Sequence, residues 1–145
     1  YYNLYMKKHA AWHILKLPFL FVAGRSDGTI SLDGANVYPE QVEAGIIKTG
    51  LQKKTAAFFM YKATGKNHNE RFTIALQLKK GVRKNLGMNK KYQQGILAAL
   101  LELNPDFAES YRCNNRLCLP EIHLYSFDSS LFSHDEDAIK IKYVK

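Results

Sequence analysis

The alternation of apolar and polar residues is strongest in the middle of the chain, where it predicts strands. From Phe72 to Leu78 every second residue is large and apolar, which is the period of a strand. The run 55–61 is almost continuously apolar, and such a run predicts a strand that is buried on both faces. A third core strand is predicted at 121–127, so the sheet should have about three strands.

A first helix is predicted to begin at Pro39, because proline fits the first position of a helix and acidic residues follow it. Val42 and Ile46 then mark its buried face. Gly50 is a plausible end for this helix, since glycine often terminates helices.

A second helix is predicted after residue 91 from an apolar stripe, and the Asn104-Pro105 pair should end it. The stripe consists of Ile96, Leu97, Leu100, Leu101 and Leu103. A short exposed tail is expected at 139–143.

The segment between Gly24 and the first helix predicts a β-hairpin. Asp27-Gly28 and Asp33-Gly34 are both typical turn pairs, and Ile30 and Leu32 lie between them at strand spacing. The predicted fold is therefore α+β, with an N-terminal β-hairpin followed by a small core sheet of about three strands flanked by helices.

Length and composition allow one domain with one core. The chain has 145 residues, of which 46% are hydrophobic and 23% charged, and this argues against disorder. No apolar run approaches the roughly 18 residues that cross a bilayer. The first residue is Tyr1, which suggests an excised fragment. Residues 1–23 are expected to end a preceding region or linker, and 24–145 to form the domain.

The net charge of +8 favours anionic partners without choosing among them. Much of this charge lies between Lys79 and Lys91, where no acidic residue occurs. A solvated loop between a strand and a helix is the simplest interpretation. A surface that faces phosphate groups and a nucleic-acid-binding surface are the alternatives.

Cys113 and Cys118 form the one cysteine pair of the sequence. Two reduced structural thiols are the favoured interpretation, which indicates a cytoplasmic location. A disulfide remains an alternative. So does a metal site in which His123 is a third ligand, although no fourth ligand is evident.

The most specific pattern in the chain extends from the hairpin into the first helix. Gly24-Arg25-Ser26-Asp27, then Gly34-Ala35-Asn36-Val37-Tyr38-Pro39 and Gln41-Val42-Glu43, resembles the opening of the small C-terminal domain of adenylate-forming enzymes. Within that superfamily this residue pattern is most similar to that of phenylacetate-CoA ligases. The pattern covers about 20 residues, and the predicted order of elements downstream is similar to that family's small domain.

This resemblance implies a ligase that activates a carboxylic acid with ATP as an acyl-adenylate and then forms a thioester with CoA. ATP, CoA and Mg²⁺ are implied, with the Mg²⁺ ligands outside this chain. The implied partner is a large N-terminal domain of the same chain, and the fragment alone should be inactive. The resemblance implies an aryl acid such as a phenylacetate-like substrate, no specific nucleic acid and no membrane partner. It allows a homodimer through the missing domain.

The resemblance also implies roles for individual residues. Arg25 matches an arginine that contacts the nucleotide ribose, and Asp27 matches the hinge about which the small domain rotates. Gly34, Ala35 and Asn36 match the loop that lines the tunnel for the pantetheine arm of CoA. Each role has a structural alternative. Arg25 could pair with a neighbouring acid, and Gly34, Ala35 and Asn36 could form an ordinary hairpin turn.

The catalytic lysine of the family is the least certain match, because no glycine precedes a lysine near the end of this chain. Lys140 is the first candidate and Lys142 the second. The alternative is that both are solvated residues of the tail. The resemblance implies a single catalytic lysine, so only one of the two can serve. Gly28 is a further departure, since many relatives have a second aspartate there.

Two alternative functions remain. The first is an adenylating enzyme that passes the acyl group to a carrier protein or an amine. The second is a basic binding module without enzymatic activity, for which binding to nucleic acid should weaken strongly with salt.

Overall fold

The structure is a computed structural model that describes residues 28–64 and 70–132, together with the backbone of 142–143. The predicted domain boundary between residues 23 and 24 lies outside these ranges. Ten helices and strands follow one another in the described residues. They are β1 (Ile30–Leu32), β2 (Ala35–Val37), α1 (Pro39–Lys48), β3 (Thr55–Thr64), β4 (Glu70–Leu78), α2 (Leu86–Leu103), α3 (Pro105–Cys113), α4 (Asn115–Cys118), β5 (Glu121–Tyr125) and β6 (Lys142–Tyr143).

The main sheet contains the three predicted core strands and has the order β5-β4-β3-β6. Strands β3 and β4 are antiparallel, whereas β5 runs parallel to β4. Strand β5 ends at Tyr125, two residues earlier than the sequence predicts. The α+β prediction is confirmed, with the β1–β2 hairpin as a separate two-stranded sheet.

The end of the chain differs from its prediction, because residues 142–143 form β6 instead of a tail outside the sheet. Lys142 pairs with Phe58 and Tyr143 with Ala57 on the edge of β3. A two-residue strand has too few positions for alternation to be visible in the sequence. It forms where β3 offers unpaired backbone groups.

The hydrophobic core lies between one face of the main sheet and the helices. Large fully buried side chains on the sheet include Phe58, Phe72, Ile74, Leu76 and Leu78. Helix α2 packs Tyr92, Ile96 and Leu100 into the same core. The first helix begins at Pro39 and buries Val42 and Ile46, as the sequence predicts.

The buried face of α2 differs in part from the predicted stripe. Leu101 and Leu103 are 38% and 48% exposed, whereas Met88, Tyr92 and Ala99 are buried. The neighbours of the helix select its buried face, and α1 covers the flank that carries Gly95. Apolar residues near the end of the helix therefore remain at the surface.

Helices α1 and α2 approach each other closely through two glycines. A Cβ atom on Gly45 would lie 2.4 Å from the Cα atom of Ile96. On the opposite helix, a Cβ atom on Gly95 would lie 2.3 Å from Cγ2 of Thr49. No side chain fits at either position without movement of the helices.

Helices α3 and α4 are absent from the sequence prediction. Pro105 is at the beginning of α3, and the Oδ1 atom of Asn104 accepts a hydrogen bond from the amide of Phe107 at 2.9 Å. Phe107 is fully buried. The segment is mostly polar, so one anchoring aromatic residue replaces the apolar stripe by which a helix is usually predicted.

Side-chain amides of α2 donate hydrogen bonds to backbone carbonyls in β5 and just before it. Asn89 Nδ2 donates to the carbonyl of Ile122 at 3.1 Å, and Gln93 Nε2 donates to that of Pro120 at 2.8 Å. Such cover protects the edge of a sheet against pairing with another chain.

Candidate functional site at the β1–β2 hairpin

The hairpin has a tight two-residue turn that Asp33 and Gly34 form. Their φ angles are +47° and +88°, and Leu32 pairs with Ala35 across the turn. Positive φ at both positions is the geometry of a type I′ turn, for which Asp-Gly is a preferred sequence. Gly34 is exposed, and a Cβ atom there would meet no other atom within 4 Å. The tip therefore offers backbone with open space around it.

The three residues of the candidate tunnel loop have different surroundings. Gly34 is exposed and Asn36 is half-buried. The side chain of Ala35 is fully buried in the core, as are those of Leu32 and Val37. Only Gly34, Asn36 and the backbone of Ala35 are available to contact a ligand.

Asn104 holds the second strand of the hairpin in place. Its Nδ2 atom donates to the carbonyl oxygen of Asn36 at 2.8 Å and to Oε1 of Gln41 at 3.2 Å. The same Gln41 oxygen accepts the backbone amide of Tyr38 at 3.1 Å. Asn104 is only 6% exposed, so the end of α2 fixes both β2 and the first turn of α1.

The tip of the hairpin is attached to the two short helices. Ser110 Oγ donates to the carbonyl oxygen of Asp33 at 3.1 Å. Cys118 on α4 is fully buried, and both this burial and the negative charge of Asp33 raise the pKa of its thiol. A raised pKa keeps the thiol protonated and unreactive near neutral pH.

Cys113 and Cys118 are both free, with Cys113 exposed and Cys118 buried. In the part of the chain that the structure describes, no three metal-ligating side chains come together. His123 instead lies on β5 beside Glu121, with 3.1 Å between Nε2 and Oε1.

Several candidate residues fall outside the described residues, namely Arg25, Asp27 and Lys140. For Lys142 the structure describes only the backbone, which pairs with Phe58 at the outer edge of the sheet. Gly28, the first described residue, has a φ of +70°, and a Cβ atom on it would lie 3.3 Å from Cγ of Pro39. The chain thus enters the hairpin in contact with the beginning of α1.

A cleft of about 680 Å³ lies beside α4, away from the residues that the sequence singled out. Its lining includes Arg71, Arg116, Leu119 and Glu121. The side chains of His123 and Arg71 lower the pKa of Glu121 by hydrogen bonding, and burial only partly opposes them. None of Gly34, Ala35 and Asn36 lines this cleft.

Sequence reasoning missed Asn104 and Ser110 as supports of the hairpin. The Asn104-Pro105 pair predicts only the end of a helix. Asparagine is also a preferred N-cap, and it was a signal for α3. Nothing in the sequence indicates that the Asn104 amide reaches Asn36, which is 68 residues away along the chain.

The solved structures that are similar to this chain include the two that follow. One is a domain of phenylacetate-coenzyme A ligase from Bacteroides vulgatus ATCC 8482, with 17% identity over 78% of this chain and 90% of that one, and a TM-score of 0.48. The other is an acyl-CoA synthetase (AMP-forming)/AMP-acid ligase II-like protein from Dyadobacter fermentans DSM 18053, with 14% identity over 81% of this chain and a TM-score of 0.41. The chain spans 28% of the length of the second.

No protein-family model and no curated protein matches this sequence. Among the described helices, none combines the length and the apolar character that crossing a bilayer requires.

Proposed function

We propose that this chain is the C-terminal, mobile part of an AMP-forming acid–CoA ligase. The observation that carries the proposal is the motif of residues 24–43. Its described part folds into a hairpin and helix that buried side chains hold rigidly, with Gly34 exposed at the tip. A rigid loop with a glycine at its tip suits a role in which backbone must lie close to a ligand.

The proposed reaction has two steps on one site. A carboxylate oxygen of the acid, proposed to be an aryl acid, attacks the α-phosphorus of ATP. Pyrophosphate leaves and an acyl-adenylate forms. The thiolate of CoA then attacks the acyl carbon and displaces AMP. Between these steps the small domain turns, so that different faces meet the same active site.

We assign the first step to residues at the two ends of the chain. Arg25 contacts the nucleotide ribose, since a guanidinium offers several donors in a fixed geometry. Lys140, or in its place Lys142, stabilises negative charge as the adenylate forms. Asp27 is the hinge, and Mg²⁺ is held by the large domain of the same chain.

We assign the second step to the hairpin. The open space around Gly34 fits the passage of the pantetheine arm, with the half-buried Asn36 beside it. Ala35 contributes through its backbone, because its side chain is committed to the core. The free thiols of Cys113 and Cys118 support a cytoplasmic location for this enzyme.

Acid-dependent exchange between ATP and pyrophosphate tests the proposal. The parent protein that contains this chain is assayed against aromatic and short aliphatic acids, as wild type, Lys140→Ala and Lys142→Ala. We expect exchange with an aryl acid, its loss in one lysine variant only, and no activity in the isolated chain. A folded parent protein without exchange for any acid contradicts the proposal.

The acceptor is tested separately by the product of the second step. We expect an acyl-CoA thioester when CoA is added. Exchange without a CoA thioester would instead identify a carrier protein or an amine as the acceptor.

The hairpin role is tested with Gly34→Ala and a matched control, Gly50→Ala. Both glycines have positive φ, +88° and +70°, and both have open space where a Cβ would lie. The two variants should therefore lose similar stability, about 1 kcal/mol each. Only Gly34→Ala should slow thioester formation from supplied acyl-adenylate. Equal rates in the two variants would remove the hairpin from the second step.

A further inference from the structure

One end of the main sheet carries a dense group of cations, which we call the basic edge. It consists of Lys53, Lys54, Lys79, Lys80, Arg83 and Lys84, all of them exposed. The backbone amide of Lys79 donates to the carbonyl oxygen of Lys54 at 2.8 Å. That bond holds the start of β3 and the end of β4 together, so the two lysine pairs lie side by side.

The described residues do not neutralise these charges by ion pairing. Within residues 28–64 and 70–132, no member of the basic edge forms an ion pair, whereas Lys48, Lys62 and Arg71 each do. Between Glu43 and Glu102 the sequence contains a single acid, Glu70, which begins β4 at its opposite end. A positive surface of this kind attracts anionic partners.

The basic edge is built on ordered backbone. The amide of Val82 donates to the carbonyl of Lys79 at 3.1 Å, and Gly81 takes a φ of +83° in the same turn. On the other side, the Tyr92 hydroxyl lies 2.8 Å from Thr55 Oγ1, which fixes the beginning of β3 against α2. The lysines are therefore presented together by a fixed support.

Exposed apolar side chains lie next to these cations. Phe127 is 46% exposed and Leu131 is 42% exposed, in the turns that follow β5. Gln77 Nε2 donates to the Phe127 carbonyl at 2.7 Å, which places this turn at the same end of β4 as Lys79. Lys84 Nζ lies 5.9 Å from the centre of the Tyr125 ring. Asp128 adds one negative charge beside Phe127.

The basic edge is remote from the hairpin. Helix α2 begins just after Lys84 and ends just before Asn104, which contacts the hairpin. Its 18 residues span about 27 Å at about 1.5 Å per residue. The role proposed for the hairpin therefore leaves the basic edge unexplained.

We propose that the basic edge, with Phe127 and Leu131, is a docking surface for an anionic phospholipid membrane. Clustered lysines bind anionic headgroups through point charges, and exposed phenylalanine and leucine side chains enter the boundary between headgroups and acyl chains. Five of the six cations are lysines, which lack the forked geometry that favours arginine for bidentate recognition of phosphates. A nucleic acid whose bases stack on aromatic rings would need access to the face of the Tyr125 ring. Lys84 lies over that face.

The family resemblance implies no membrane partner, and this proposal departs from that expectation. The proposal is independent of the ligase function. It makes the chain a peripheral membrane protein whose hairpin faces away from the bilayer.

Sedimentation with lipid vesicles tests the proposal on the 145-residue chain. The probes are vesicles of phosphatidylcholine alone and of phosphatidylcholine mixed with phosphatidylserine, each at low and high salt. We expect binding to the anionic vesicles only, and weaker binding at high salt. The double variant Lys79→Gln/Lys80→Gln should lower partitioning roughly 30-fold.

The matched control is Arg112→Gln/Arg116→Gln, which removes the same charge from α3 and α4 at a different surface. It should change partitioning much less than the lysine variant. Phe127→Ser should also weaken binding at unchanged net charge. Circular dichroism and thermal melting verify that every variant is folded.

Three results would overturn the proposal. The first is no binding of wild type to anionic vesicles. The second is an equal loss in the two double variants, which would show a response to net charge alone. The third is tighter binding to a single-stranded or duplex oligonucleotide than to anionic vesicles, with loss in Lys79→Gln/Lys80→Gln, which would assign the surface to nucleic acid.

Discussion

The side-chain amide of Asn104 donates to the backbone carbonyl of Asn36 at 2.8 Å, joining the end of α2 to the second strand of the hairpin. The same side chain also contacts Gln41 and caps α3 through the amide of Phe107. One buried residue therefore connects four elements. This connection and the buried side chains of Leu32 and Val37 together hold the hairpin on the core.

Replacement of Asn104 by alanine should destabilise the protein by about 2–3 kcal/mol. The change leaves the carbonyl of Asn36 and the amide of Phe107 without these partners in a buried setting, which is costly. Urea unfolding measures the loss. Asn114→Ala is the control, because Asn114 is exposed and its side chain caps only the four-residue helix α4. A loss below that of the control would contradict this role for Asn104.

Gly45→Ala should be strongly destabilising, by about 3 kcal/mol or more, because the new Cβ would lie 2.4 Å from the backbone of Ile96. Gly87→Ala is a matched substitution in the first turn of α2. There a Cβ would lie 3.7 Å from Asn85 Oδ1, an ordinary contact, so alanine should be neutral or stabilise by up to about 1 kcal/mol. Thermal melting of both variants checks the contrast, and similar melting temperatures would refute the close contact.

Tyr92→Phe should cost about 1 kcal/mol at neutral pH, since it removes the buried hydrogen bond to Thr55. Burial raises the pKa of Tyr92, an effect that its hydrogen bond to Thr55 only partly offsets. The folded state therefore holds this proton more tightly than the unfolded state, whose tyrosines titrate near about 10. Stability should fall as pH rises above that value, and less steeply in Tyr92→Phe. Unfolding curves at about pH 8 and at a pH roughly one unit above the tyrosine value make the comparison.

The pKa of Glu121 should rise towards its ordinary value when His123 is replaced by alanine. The hydrogen bond with His123 is the largest cause of the lowered pKa, and the bond with Arg71 contributes less. Arg71→Gln should therefore give a smaller rise, which an NMR titration of the Glu121 carboxyl group would resolve. A larger effect of Arg71→Gln would reverse this order.

The sign of the Glu121 contribution follows from its lowered pKa. The stabilisation is present above the unfolded carboxyl value of about 4.3 and is lost as pH falls through the lower folded value. Both partners are at least partly exposed, so solvent screening keeps the contribution small.

Much of this protein is determined by its sequence. The alternation in β4, the apolar run of β3, Pro39 at the start of α1 and the Asp33-Gly34 turn are local signals, and each element occurs where its signal lies. They are readable because backbone preferences and side-chain periodicity act between residues that are near in sequence. The motif that marks the hairpin as the candidate site is likewise a continuous stretch.

Only the tertiary structure decided the features that depend on contacts between residues far apart in the sequence. It turned the side chain of Ala35 into the core, left Leu101 and Leu103 at the surface of α2, and made Gly45 a point of contact between helices. It also joined residues 142–143 to the sheet. These features arise because the segment that packs against a residue determines its burial and hydrogen bonding. The local sequence does not identify that segment.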